Sequence, residues 1–268
     1  MPAIDFDFQR YVARRKGLRA AQVREGAAYA YPGDVRLLRT LDKLRPVQLA
    51  LDETVRLWGH VARAELLGPA LRASPERFAQ VHKVIRRCAE ILHIPMPAVY
   101  VTPQPGGVLT LGTDEESYVV VAQGLVDSLS ENELLDVLGR ECGRIQNGHV
   151  PFFTALHYLT HAKSTLVRWA VRPATLSLQA WARRADVTAD RAGLLCARDL
   201  DVSQSALSKI ADARDPRGLE RRRRALARFA ASAYYKTVVG SLGDASDEGE
   251  SQEDCDNAVS RILDDKEG

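Results

Sequence analysis

The chain has 268 residues, 46 % of them hydrophobic and 27 % charged, enough apolar material to bury one sizeable core. Its formal net charge of +2 hides a division, because residues 241–268 hold ten Asp or Glu against Arg261 and Lys266, a net of about −8 that leaves about +10 on the rest. No run of about 18 uncharged apolar residues is present, which argues against a spanning helix, and four cysteines without CxxC spacing argue against a zinc cluster or a disulfide framework.

The N-terminal segment, 1–34, is polar, lacks the positive start and apolar stretch of a secretion signal, and ends in the turn signal Tyr31-Pro32-Gly33-Asp34. It reads as a loose arm. Val47, Leu51, Val55, Trp58, Val61 and Ala62 then follow a helical period, and Ser74-Pro75 is placed to cap a second helix with Phe78, Val81, Ile85, Cys88 and Leu92 inward. From Pro97 the pattern turns to β, with strands expected at 98–102, 108–112 and 118–122.

The next segment runs Ser130 to His149. Ser130 and Glu133 form a capping box, Leu134, Leu138 and Ile145 share a face, and Asn147-Gly148 supplies a left-handed stop, so a helix with one buried stripe is expected. Helices follow at about 151–169 and 174–200, then over 203–210 and 219–233, the last opening on Arg221-Arg222-Arg223-Arg224. Residues 241–268 read as an acidic, disordered tail, and 35–240 as the one folded body.

Residues 130–149 resemble the active-site helix of the HtpX-like and CAAX prenyl-type zinc metallopeptidases, whose pattern runs Glu-Leu, several apolar residues, His-Glu-x-x-His and commonly Asn-Gly-His. Here Arg140 and Arg144 stand at the two zinc-ligand histidine positions, while Glu141 keeps the place of the general base. The resemblance extends over about 40–200. It implies that Asp186 stands at the third ligand position, one methylene shorter than the family's Glu, and that Asp190, in Ala189-Asp190-Arg191-Ala192-Gly193, is the outer-shell acid. It also implies an α+β fold, mainly helical with a small three-stranded or larger sheet, in which one strand aligns substrate by backbone pairing. Gly106-Gly107 sits where the family carries Asn-Ala on that strand, which loosens the expected groove.

The chemistry turns on the two arginines. Zinc needs lone pairs, and a protonated guanidinium carries only N–H donors and a charge that repels a dication. Arg140, Glu141, Arg144, Asp186 and Asp190 would then form an ionic clasp between two helices, or else Arg140 and Arg144 point to solvent as ordinary helix pairs with Asp136 and Glu141. His157 and His161 have a chelating spacing but no acid between them and read as packed side chains. Cys142 points about 100° away from Glu141 around the helix, which sets it apart from a rebuilt metal site. The arginine run at 221–224 lacks the interleaved aromatics of a nucleic-acid surface and reads as a solvated face.

The sequence thus points to a catalytically inactive, cytoplasmic metallopeptidase relative that needs no cofactor and acts as a protein-binding or regulatory module, with Glu141 a vestigial base. The alternative is a divergent zinc endopeptidase with a displaced metal. A small anion between the paired arginines is a further expectation.

Overall fold

The computed structural model describes residues 26–57, 67–113, 116–160, 172–240 and 250–265. Its elements are α1 (Pro32–Leu41), α2 (Arg45–Leu57), β1 (Leu71–Arg72), α3 (Ala79–Ile91), β2 (Ala98–Thr102), β3 (Val108–Gly112), β4 (Ser117–Ala122), α4 (Gln123–Ser128), α5 (Glu131–Gln146), α6 (Val150–Thr160), α7 (Arg172–Ala197), α8 (Leu200–Ile210), α9 (Pro216–Ala231), α10 (Ala233–Gly240) and α11 (Gln252–Asp264). The result is α+β and mainly helical, as expected, with a mixed four-stranded sheet in the order β1-β2-β4-β3. β2 runs parallel to β4, and β3 pairs antiparallel with β4 and forms a sheet edge.

The capping box of α5 is present: Ser130 Oγ accepts from the Glu133 N–H, and Glu133 Oε2 accepts from the Ser130 N–H at 2.7 Å. Leu134, Val137, Leu138, Cys142 and Ile145 are buried, so nearly the whole circumference of this helix lies inside the protein. Its most extensive partner is α7. Two glycines make that approach possible, because a Cβ on Gly143 would overlap Ala192 and one on Gly139 would lie 2.8 Å from Cys196 Sγ. From α7, Gly193 returns the favour to Arg140, whose Cγ would lie 2.8 Å from an added Cβ. The small residues at 139, 143, 189, 192 and 193 thus set a helix spacing at which side chains from α5 and α7 reach one another.

Several sequence expectations need correction. Ser74-Pro75 does not cap a helix; the Ser74 N–H bonds to the Arg77 carbonyl in a tight turn, and α3 starts at Ala79 after Phe78 in a left-handed conformation. The described part of the supposed arm is firmly held: Tyr29, Tyr31 and Asp34 are buried. Asp34 accepts from Trp181 Nε1 at 2.8 Å and from Thr188 Oγ1 at 2.6 Å, and His149 Nε2 lies 3.0 Å away. Residues 1–25 lie outside the described residues, as do the apolar positions predicted at 58, 61 and 62.

Residues 250–265 of the expected tail are ordered, since α11 folds back onto α9 with Cys255 and Val259 fully buried, while 241–249 and 266–268 lie outside the described residues. Its alternation of acids with an apolar stripe was masked by composition. Asp256 bonds Arg191 Nη2 at 2.7 Å, and Arg191 lies over the Phe229 ring, so the acidic segment and the basic body are complementary by contact.

Candidate functional site

The site lies where α5, α7, α9 and the edge strand β3 meet. One turn of α5 separates Arg140 from Arg144, and one turn of α7 separates Asp186 from Asp190, so the two pairs face each other across the close α5–α7 contact. Arg144 Nη2 donates to Asp186 Oδ1 at 2.7 Å, and Arg140 Nη2 lies 3.9 Å from the same oxygen. Arg140 Nη1 is paired with Asp190 Oδ1. Both arginines are therefore inside: the Arg140 side chain is 4 % exposed and that of Arg144 12 %, which removes the reading in which they point to solvent. All five residues singled out from the sequence converge here.

Glu141 is buried and oriented by two neighbours. Thr110 Oγ1 of β3 donates to Glu141 Oε2 at 2.6 Å, and Arg144 Nε lies 3.4 Å from Glu141 Oε1. Arg144 in turn stacks on Phe153 of α6, 4.0 Å from the ring centre. Asp186 Oδ1 lies between the two guanidinium groups, 2.7 Å from Arg144 Nη2 and 3.9 Å from Arg140 Nη2.

Sequence reasoning missed a sixth member. Arg222 donates to Asp190 through Nε at 2.9 Å and Nη2 at 2.8 Å, a two-pronged pair from α9. The arginine run is thus not wholly a solvated face. A signal was present, because Arg222 stands three, four and seven residues before Ala225, Leu226 and Phe229, which are buried. With Arg222 counted, three guanidinium groups face the carboxylates of Asp186, Asp190 and Glu141, and the cluster is balanced rather than negative. The charges of Arg222, Arg144 and Arg140 outweigh burial, which by itself would raise it, and hold the Asp186 carboxyl down to about 2. Burial, together with the positive neighbours, brings Arg140 down to about 9, so it is charged at neutral pH.

A seventh group is less well satisfied. Asp136, 2 % exposed and one turn before Arg140, has an Oδ2 that makes no hydrogen bond, and burial pushes its carboxyl up to about 7. An unfolded aspartate ionises near pH 4, whereas this one keeps its proton to about 7, so between those values the folded state binds one proton more and loses stability as pH rises. Asp136→Asn is expected to remove that slope. Unfolding free energies from denaturant titration at pH 5 and pH 8 should differ less in the variant, by about 1 kcal/mol or more, and an unchanged difference would assign the slope elsewhere.

The other candidates separate from the cluster. His149 is buried against Asp34 and Trp181, a structural corner at the end of α5. His157 lines the cleft described next, and His161 lies outside the described residues. Cys142 is fully buried; its contact with Cys88 and its burial push its thiol well up, so it supplies no thiolate to the site. Among the described residues, no group of three or more His, Cys, Asp or Glu is arranged to hold a metal ion.

Beside the cluster is a cleft of about 300 Å³, lined by Val108, Leu109, Phe153 and Leu156 on its apolar side and by Glu141 and Arg144. Gly106 and Gly107 precede β3 rather than lying within it, and the strand is intact from Val108 to Gly112. The expected loosening of the groove is therefore confined to its approach.

A helix bearing Glu141, an edge strand beside it and paired acids on a following helix form the framework that the resemblance implied. The sequence model of peptidase family M48 matches residues 75–241, the stretch that carries all of these. The chain belongs to peptidase family M48. It is 31 % identical over 152 residues to the plastoglobule-localized metallopeptidase 48, chloroplastic, of Arabidopsis thaliana, covering 55 % of this chain and 44 % of that protein. It is 35 % identical over 79 residues to a protease HtpX homolog of Pelotomaculum thermopropionicum, covering 29 % and 28 %, and 27 % identical over 158 residues to one of Ralstonia nicotianae, covering 49 % and 55 %. The chain thus spans about half the length, or less, of these curated relatives. No solved structure matches. Among the described residues no helix of this M48 chain is long and apolar enough to cross a membrane.

Proposed function

We propose that this M48 chain is a catalytically inactive relative that binds another protein through the preserved cleft, acting as a regulatory or scaffolding module in the cytoplasm. The observation that carries the reading is the side-chain chemistry at the two motif positions. Arg140 and Arg144 present N–H donors where the family's histidines would present lone pairs, and the carboxylates of Asp186 and Asp190 that remain are engaged by three guanidinium groups. These residues do not fit a zinc ion, and Glu141 without one has no acidified water to deprotonate. The ion pairs take over the tying of α5 to α7.

Three features support a retained binding role, and a fourth fits the compartment. The cleft persists, its edge strand is intact, its buried glutamate is still oriented by Thr110, and all four cysteines are free, as a reducing compartment requires. The test is hydrolysis of a denatured casein substrate by the full chain with and without added zinc. No chelator-sensitive cleavage in either case is expected; zinc-dependent turnover would favour instead a divergent peptidase with a displaced metal.

A further inference from the structure

The family match ends at residue 241, so α11 lies beyond it and covers a surface of the matched body. What it covers is built without it. The Arg191 side chain of α7 is fully buried, and its Nη1 donates to the Tyr29 carbonyl at 3.2 Å. Its guanidinium lies 4.5 Å from the ring centre of Phe229 on α9, 5.6 Å from that of Tyr31 and 6.0 Å from that of Tyr234 on α10. Aromatic faces and a carbonyl hold such a cation in place without neutralising it. The counter-charge comes from α11, whose Asp256 accepts from Nη2 at 2.7 Å.

α11 itself holds on lightly. Of its residues only Cys255, Asp256 and Val259 are buried. The other ties are the pairs Glu250–Arg228, Asp264–Arg184 and Asp265–Arg224, in each of which at least one partner is half-exposed or more. Pairs of this kind contribute little and are screened by salt. The helix is therefore held chiefly by one carboxylate, with an apolar side chain just before it and another three residues after it. Charge complements this contact, because residues 250–265 carry six Asp or Glu against Arg261, facing arginines of α7 and α9.

We infer that the face of α9 and α10 around Arg191 is a docking seat for an acidic amphipathic helix of another protein, kept filled by α11 until that helix exchanges with it. The pattern it reads is an apolar residue, Asp, two free positions and a second apolar residue, with further acids towards both ends. The seat shares no lining residue with the cleft beside β3, so it is a second protein-binding surface that stands whether or not the cleft is used. It adjoins the ionic cluster through the chain, since Arg191 follows Asp190 and α9 carries Arg222 as well as Arg224 and Arg228.

The probes are two fluorescein-labelled peptides, one of residues 250–265 and one a designed helix of unrelated sequence that keeps only the pattern, each also made with its central Asp replaced by Asn. Binding is read by fluorescence anisotropy with the full chain and with its Val259→Asp variant, in which a charge at the buried position of α11 frees the seat. Both Asp peptides should bind the variant more tightly than the unmodified chain by about tenfold or more, because α11 no longer competes. The Asn peptides should bind about tenfold more weakly, the worth of one charge-assisted hydrogen bond. Hydrogen exchange of the unmodified chain tests the premise without a variant: amides of α11 should exchange through an opening that leaves α5 and α7 protected. Exchange of α11 only together with α5 and α7 would overturn the inference, since α11 would then be a fixed part of the core. Equal binding of the Asp and Asn peptides would remove Arg191 as the receptor. Binding of the 250–265 peptide without the designed helix, or dimers of the unmodified chain in light scattering, would assign the seat to a second copy of this chain and overturn the partner. Binding of neither peptide to either chain would overturn the seat altogether.

Discussion

Asp190→Ala is expected to lower the stability of the chain by roughly 4 kcal/mol, the scale for removing one partner of a buried ion pair. Asp190 is 3 % exposed and is the acceptor for both Arg140 and the two-pronged Arg222. Truncating it leaves two guanidinium groups inside the protein with their main counter-charge gone, and Arg140 Nε already lacks a partner. Asp186→Ala should cost less, because that side chain is a quarter exposed and water can replace part of what is lost. Urea unfolding of the three proteins checks the order. A loss below about 1 kcal/mol for Asp190→Ala would mean that the cluster is not the tie between α5, α7 and α9.

The second large effect is a gain. Arg140→His and Arg144→His with Asp186→Glu restores two imidazoles one turn apart on α5 and a carboxylate of longer reach on α7, with Glu141 already oriented by Thr110. Arg222 keeps Asp190 paired when Arg140 is gone, so the triple variant retains a partner for this buried acid. It should take up about one zinc per chain, the stoichiometry of a three-ligand site. Arg140→His alone should take up none, since Arg144 would still hold a positive charge in the site. A triple variant that folds yet stays metal-free after dialysis against zinc would show that the family's geometry does not carry over to this framework.

The strands, the motif helix and its capping box were legible because each is announced by local chemistry: period-two apolar runs, Ser130 with Glu133, and the Asn147-Gly148 stop, where Gly148 adopts a φ of 69°. The five clustered residues were legible through the resemblance, which put Arg140, Glu141, Arg144, Asp186 and Asp190 at the motif positions; spacing adds only that Arg140/Arg144 and Asp186/Asp190 are each one turn apart. What escaped were contacts between segments distant in sequence. Arg222 was lost in a run of four arginines whose composition suggested solvent, although its spacing to Leu226 and Phe229 marked the inner face. Asp34 was lost because a polar arm carries no sign that Trp181, Thr188 and His149 await its carboxylate. The docking of α11 was lost because net charge dominated the reading of 241–268, while the few apolar positions that bury it, Cys255 and Val259, are sparse. In each case the deciding partner lies far away in sequence: Asp190 for Arg222, the donors Trp181, Thr188 and His149 for Asp34, and Arg191 for Asp256 of α11.

The central claim is that the arginines have replaced the metal, and elemental analysis of the unmodified chain tests it most directly. The protein would be purified without chelators from cells grown in zinc-replete medium, and its zinc measured alongside its melting temperature with and without EDTA. The account predicts zinc far below one per chain and a melting temperature indifferent to the chelator. Zinc near one per chain, released by EDTA with a fall in melting temperature, would contradict it.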